Sequence, residues 1–231
     1  MSGVEGAKRA VGFAAAALVQ HGMLVGLGSG STVHFLVARL GERVRDEGLR
    51  FTGVPTSEAT AAQATALGIP LAEADAPIDL AIDGADEVEV STLRLIKGLG
   101  GALLREKIVA ELARRFVVVA DDTKLVHCLG EHAKLPVEVT RFGVRATARR
   151  IAALGGAPVL RTARDGTPFV TDGGNAVLDC GGFAPIRDPF TLQRDLHSIA
   201  GVVETGLFLN LAQSALIAGA DGSVRELVAP A

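Results

Sequence analysis

Short, wholly apolar runs alternate with longer segments of helical period along the first 130 residues. "EGAKRAVGFAAAALVQH", residues 5–21, predicts an alanine-rich helix, and "GMLVGLGSGSTVHFLVARLGERVRD", 22–46, predicts a strand, a glycine turn and a helix. A second unit follows, strand "LRFTGVPTS" and helix "EATAAQATALG", with Gly68 as a C-terminal cap. "IPLAEAD" and "IDLAIDGADE" predict further strands, "GALLREKIVAELARR" a helix, and "FVVVADDTK" a short apolar strand. Helices alternating with such strands predict a mainly parallel sheet, because a strand apolar on both faces needs cover on both.

Past Gly130 the pattern changes. "LPVEVT" predicts a strand, "RATARRIAALGG" a helix, "PFVTDGGNAVLDCG" two strands joined by a Gly-Gly-Asn turn, "DPFTLQRDLHSI" a helix and "GVVETGLFL" a strand. This β-α-β-β-α-β order is that of a ferredoxin-like unit. The tail, "AQSALIAGADGSVRELV", predicts a short hairpin that returns to the first part. The expected fold class is α/β: a mainly parallel, Rossmann-like sheet with helices on both faces, residues 1–130 and 208–231. A small ferredoxin-like α+β domain, residues 131–207, is inserted near the C-terminus.

Composition narrows the partners. Of 231 residues 48% are hydrophobic, ample for a core, and the formal charge of −3 offers no general attraction to nucleic acid or anionic membranes. No apolar stretch approaches the roughly 20 residues that span a bilayer, and "MSGVEGAKRA" lacks the basic-then-apolar profile of a secretory signal. Cys128 and Cys180 lack CxxC spacing and read as reduced thiols. The expectation is a cytoplasmic protein with no membrane or nucleic-acid partner. Arg141, Arg145, Arg149, Arg150, Arg161 and Arg164 concentrate in the second part without interleaved aromatics, which reads as a solvated face.

Three segments carry candidate chemistry. "GLGSGST", residues 26–32, follows a strand and opens a helix, where free backbone N–H groups hold anions. Gly26, Gly28 and Gly30 permit close backbone approach, and Ser29, Ser31 and Thr32 add hydroxyls. Neither GxGxxG nor GK[ST] is present, so a phosphate monoester fits better than a pyrophosphate; a ligand-free turn is the alternative. "AIDGADE" places Asp83, Asp86 and Glu87 at a strand's carboxyl end, where open α/β sheets bind ligands. Sugar hydroxyls are the preferred use, with a magnesium ion or the capping of backbone amides as alternatives. Zinc or iron would recruit His or Cys, and the five histidines show no HxxH or HxxxH pairing. "KGLGGALLRE" offers Lys97 for a phosphate or a developing oxyanion, Gly98, Gly100 and Gly101 for close approach, and Glu106 one turn into a helix. The stripe Ala102, Val109 and Ala113 gives Glu106 apolar surroundings that would raise its pKa and make it a base near neutrality; a solvated glutamate is the alternative. Lys124, after "FVVVADD", is a surface lysine or part of a cationic rim.

Taken together, "GLGSGST", "VPTSEAT", "AIDGADE", "KGLGGALLREKI", "VVVADDTK", "LPVEV", "TDGGNAVLD" and "GVVETGLF" resemble the type A ribose-5-phosphate isomerases over most of the chain. The resemblance implies a metal-independent, cofactor-free aldose–ketose isomerase of the non-oxidative pentose phosphate pathway, interconverting ribose 5-phosphate and ribulose 5-phosphate through a cis-enediolate. It implies Glu106 as the base, with Asp83, Asp86 and Lys97 around the sugar. It further implies substrate contacts at Ser29, Gly30, Ser31, Thr32, Gly84, Ala85, Gly98, Leu99, Gly100 and Lys124, with Lys8 near another cationic position. Ser29 stands where the family usually has Thr, and Leu99 where Gly is common. A homodimer or homotetramer is implied as well.

Two other classes are weighed. A sugar-phosphate sensor of related fold would need a DNA-binding segment, for which the residues before 26 leave no room, and it would have no need of Glu106 as a base. A coenzyme A transferase of related architecture would use a glutamate as nucleophile instead of a base.

Overall fold

The computed structural model describes residues 3–229; residues 1–2 and 230–231, the extremes of the expected catalytic unit, lie outside the described residues. Small residues set the first packing distance. Helix α1 (Gly3–Ala16) buries Ala7, Val11, Ala15 and Ala16, and after β1 (Leu24–Leu27) comes α2 (Ser31–Asp46). The two helices pack so closely that a Cβ on Gly12 would meet the Leu36 backbone nitrogen at 2.9 Å. The chain continues through β2 (Thr52–Pro55), α3 (Glu58–Ala66), β3 (Leu80–Gly84), β4 (Glu87–Glu89) and β5 (Leu95–Ile96). Helix α4 (Leu103–Leu112), β6 (Phe116–Asp121) and β7 (Leu125–Val126) complete this part. Then come β8 (Leu135–Val139), α5 (Val144–Ala153), β9 (Ala157–Leu160), β10 (Ala176–Gly181) and α6 (Pro189–His197). Strands β11 (Val202–Thr205), β12 (Leu207–Phe208), β13 (Ser214–Ala218) and β14 (Val224–Val228) end the described chain.

The main sheet has the order β14-β13-β6-β3-β1-β2 and is parallel except for the β13–β14 hairpin. Its strands bury both faces, as β6 shows: Val117 and Val119 join the core under α1 and α2, while Phe116, Val118 and Ala120 join the core with Val109 of α4. A second sheet, β11-β8-β10-β9, is antiparallel throughout, the ferredoxin-like order with the first and third strands central. Its core joins Val137, Val139 and Leu178 to Ile151 of α5 and Leu196 of α6. Among the described residues no helix is long and apolar enough to cross a membrane, and both cysteines are free thiols.

Several expected elements differ. The first helix stops at Ala16. "IPLAEAD" forms only an isolated bridge, Leu71 to Gly53. "PFVT" is not a strand: β10 pairs instead with β9, and residues 161–175 make an excursion between them. The reason is the buried Glu138 carboxylate of β8, which accepts hydrogen bonds from Thr171 Oγ1 and Asn175 Nδ2, both at 2.9 Å, and draws the segment inward. "GVVETGLFL" breaks at Gly206, where a Cβ would lie 2.3 Å from the Lys97 carbonyl, and the chain changes sheets there.

That change creates a third sheet, β12-β5-β4-β7, unforeseen because its strands are too short for a period to be read. Glu87 anchors it. Fully buried, its carboxylate accepts hydrogen bonds from the backbone N–H groups of Gly130 (2.6 Å), His132 (2.6 Å) and Ala133 (2.7 Å). Of the three acids at the strand mouth, this one caps backbone amides. Glu87→Ala should lower unfolding free energy by roughly 2–3 kcal/mol, since three part-buried amides lose a charged acceptor; urea denaturation reads this as a fall in midpoint at constant slope.

Candidate active site

Asp83 ends β3 and is buried beside the turn that follows β1. Its Oδ1 accepts hydrogen bonds from the N–H of Ser29 (3.0 Å) and of Gly84 (2.7 Å). Gly28 is what admits it, for a Cβ there would sit 2.1 Å from Asp83 Oδ1. Gly26 likewise serves packing, since its Cβ would strike Val109 Cγ1 at 2.5 Å. The reading of these two glycines as room for an anion is therefore corrected: they make room for the protein's own side chains. Gly30, at φ +99° with open space around it, is the one of the three at the mouth of the cleft, just before α2.

Lys97 follows β5 and is buried, its own N–H donating to the Gly206 carbonyl at 2.9 Å. Its Nζ donates to the Gly84 carbonyl (2.6 Å) and lies 3.1 Å from Asp83 Oδ2 and 3.3 Å from Glu106 Oε2. The Phe208 ring backs it, with Nζ 5.4 Å from the centroid. Glu106, in the first turn of α4, is only 5% exposed, so it is not a solvated surface glutamate. Its neighbour Lys107 is buried too, on Glu204 Oε1 (2.6 Å) and the Thr205 carbonyl (2.8 Å).

Over this triad opens a cleft of about 560 Å³, its mouth included, lined by Ser29, Gly30, Ser31, Thr32, Gly84, Ala85, Asp86, Lys97, Gly98, Gly100, Glu106 and Lys124. Lys8 of α1 completes the wall, its Nζ donating to Ser31 Oγ at 2.9 Å. Ser29 Oγ is held by Thr56 Oγ1 (2.7 Å) and Ser57 Oγ (2.8 Å), which explains the use of "VPTSEAT". Asp83 lies behind Lys97 and is not in the lining. Nor is Leu99: the residue is 46% exposed, and its N–H donates to Asp86 Oδ2 at 2.9 Å. The acids of "AIDGADE" thus diverge, and among the described residues no three His, Cys, Asp or Glu side chains are grouped to hold a metal ion.

One residue was misread from sequence. Arg161 is not on a solvated face; its side chain is 11% exposed, paired with Asp179, and its Nη1 donates to the carbonyls of Gly98 and Leu99, each at 3.0 Å. Nothing local marks it, because Asp179, Gly98 and Leu99 are all distant in sequence. Phe208 was missed as well, although its motif, "GVVETGLF", was legible.

The model of ribose 5-phosphate isomerase A (phosphoriboisomerase A) matches residues 52–222. A Roseiflexus protein named ribose-5-phosphate isomerase A is 57% identical over 215 residues, 92% of this chain and 91% of that one. The solved ribose 5-phosphate isomerase A of Methanocaldococcus jannaschii superposes with TM-score 0.91 at 41% identity, covering 96% of this chain and 97% of that one. A D-ribose-5-phosphate isomerase solved in complex with phospho-erythronic acid gives TM-score 0.92 at 34% identity, covering 97% and 99%. The chain belongs to the ribose 5-phosphate isomerase A family.

In this member of the family one ammonium serves two buried carboxylates. Burial alone would lower the Lys97 pKa, but Asp83 and Glu106 outweigh it and hold the ammonium raised, hence charged. Burial, then the Asp83 charge, pushes Glu106 up to about 8 against the pull of Lys97. Burial raises Asp83 too, opposed by Lys97 and the Ser29 amide. Asp83 Oδ2 and Glu106 Oε2 both lack a hydrogen bond among the described residues, but two fixed N–H donors on Asp83 Oδ1 favour its charged form, so Glu106 is the carboxylate that takes the proton.

The sign of the resulting stability effect is fixed. Between the ordinary glutamate value of 4.5 and the folded value near 8, the unfolded chain has released a proton the folded chain keeps, so stability falls as pH rises through that window. Glu106→Gln mimics the protonated form. Its melting temperature should exceed the wild type's, by a margin that grows from about pH 5 to about pH 8 and then levels; scanning calorimetry across that range checks this, and a pH-independent difference would contradict it.

Proposed function

We propose that this cleft interconverts ribose 5-phosphate and ribulose 5-phosphate by moving one proton between C1 and C2, with Glu106 as the base. The observation that carries the reading is a buried carboxylate with pKa near 8, 3.3 Å from a charged ammonium and facing open space. A proton on carbon beside a carbonyl is weakly acidic, so its removal needs a base of raised pKa and a donor for the oxygen that becomes negative.

In this reading the phosphate sits at the start of α2, on the N–H groups and hydroxyls of Ser31 and Thr32 with Lys8 and Lys124 as counter-charges. Ser29, its hydroxyl tied to Thr56 and Ser57, shapes that end of the site. Asp86 serves ring opening and the sugar hydroxyls beside Gly84 and Ala85, and Asp83, behind Lys97, acts through the ammonium it holds. Glu106 takes the C2 proton of the open-chain aldose, and the C1–C2 enediolate forms with its charge on O1. Lys97 and the amides of the Gly98–Gly100 loop stabilise that charge. The proton then passes from Glu106 to C1, and the O2 proton moves to O1, giving the ketose. No metal or cofactor is needed for any step.

The electrostatics favour this direction of work. When Glu106 gains the proton, repulsion from Asp83 disappears and Lys97 is left to face the enediolate. Binding at the remote phosphate orients the reacting carbons. Phospho-erythronic acid, bound in one solved relative, pairs a phosphate with a planar anionic carboxylate, the two features an enediolate phosphate presents. Residues 1–130 and 208–231 carry the chemistry in this reading, residues 131–207 support it, and a homodimer or homotetramer is the expected assembly.

Proton NMR of ribose 5-phosphate in deuterated water containing EDTA tests the proposal. Ribulose 5-phosphate should form with deuterium uptake, and Glu106→Gln should lower kcat by roughly a thousandfold. Conversion only after magnesium is restored would overturn the mechanism, and a borohydride-trapped acyl-enzyme would point to the transferase instead. Light scattering that finds a monomer would remove the expected assembly.

A further inference from the structure

We propose that Arg161 is a positioning residue for this reaction: by holding the carbonyls of Gly98 and Leu99, its guanidinium turns the Gly100 N–H into the cleft as a donor to the reacting oxygens. The inference deepens the reading of the preceding subsection and rests on it for the identity of those oxygens.

A trans peptide is planar, and its C=O and N–H point in opposite directions. Arg161 Nη1 binds the Leu99 carbonyl at 3.0 Å, so the N–H of the same peptide unit, that of Gly100, points away from Arg161. Gly100 lines the cleft, and its N–H has no acceptor among the described residues. The preceding peptide shows which way "away" is. Its carbonyl, that of Gly98, is also on Arg161 at 3.0 Å, and its N–H, that of Leu99, donates to Asp86, a residue of the cleft wall. Two successive peptides therefore present carbonyls to the small sheet and amides to the cleft. The first amide is occupied by Asp86 and the second is open. Gly98 at φ +106° and Gly101 at φ +84° permit the turn.

Arg161 is itself held. The other edge of its fork, Nε and Nη2, meets both carboxylate oxygens of Asp179, with Nε 3.0 Å from Oδ2. Asp179 sits on β10, a central strand, in register with Val159 of β9 and Pro136 of β8. Phe169 stacks 5.7 Å from the guanidinium and fills the space over Gly101, where a Cβ would meet its Cζ at 2.4 Å. The Asp179 carboxylate balances the arginine charge, so Arg161 acts through the peptide it orients and not as a field on the substrate. A cation on the carbonyl also polarises the peptide and strengthens its N–H as a donor.

The test compares Arg161→Met with wild type in steady-state isomerisation and in amide NMR of the Gly100 N–H. A misplacement of ~1 Å costs up to about a hundredfold, so kcat should fall about 10- to 100-fold, with KM changed less than about threefold because the phosphate contacts remain. The Gly100 resonance should shift, and added ethylguanidinium should restore part of both. Arg161→Lys, which keeps the charge without the fork, should not recover full kcat. An unchanged kcat in folded Arg161→Met, or a loss that follows melting temperature without rescue, would overturn the proposal. If Arg161→Met does not fold, Asp179→Asn decides: a lowered kcat and a shifted Gly100 resonance support it, and no change in either sinks it. Wild-type protein that fails to isomerise ribose 5-phosphate would overturn the function reading, while the Gly100 resonance would still decide the role of Arg161.

Discussion

One ammonium between two buried carboxylates is the interaction on which the rest depends. Lys97 lies within ion-pair distance of both Asp83 and Glu106, and all three side chains are out of water. A single positive charge cannot fully compensate two negative ones in such a place, because desolvation penalises every uncompensated charge. The cluster therefore holds a proton more readily than a lone glutamate would. Two amide donors favour the charged form of Asp83 against the burial that raises it, so the proton falls to Glu106, the group that faces the cleft. A carboxylate held protonated in this way costs the fold stability as pH rises toward its raised pKa.

The fold is arranged to keep that triad dry and in place. Asp83 arrives on a central parallel strand, Glu106 on a helix packed against the same sheet, and Lys97 beside the short third sheet. Gly28 clears the volume the Asp83 carboxylate occupies, and Phe208 closes the back of Lys97. The excursion between β9 and β10 then grips the segment linking Lys97 to Glu106. Arg161 holds its first carbonyls, Phe169 covers Gly101, and Asp172 meets both Arg105 and the Glu58 N–H at the far end. The second sheet is thus tied to that loop through Arg161, which follows β9.

"AIDGADE" shows how far local sequence reaches. Its three acids look equivalent as a string, and all three sit where a parallel sheet binds ligands. In the structure Asp83 turns inward to Lys97, Asp86 borders the cleft and holds the Leu99 N–H, and Glu87 turns away to cap three amides more than forty residues on. Alternation along the chain accounts for part of the divergence. The rest depends on which partner each carboxylate finds, and those partners come from other elements. Gly26 and Gly28 make the same point, since only the packed neighbours reveal that they admit Val109 and Asp83 instead of an anion.

The sequence alone determined the alternation of parallel strands and helices, the two helices and two central strands of the second unit and the closing hairpin, because hydrophobic period and turn chemistry are local properties; the second strand of that unit is β9 and not the expected "PFVT". It also marked the segments that meet at the cleft, since glycine turns, clustered acids and a helix-borne glutamate stand out against an apolar background. Tertiary structure alone decided the third sheet, the pairing of β10 with β9, the burial of Glu106 beside Lys97 and the clamp formed by Arg161. Most of these rest on contacts between residues far apart in the chain, where charge, volume and hydrogen-bond direction are matched in space and leave no periodic trace in the string.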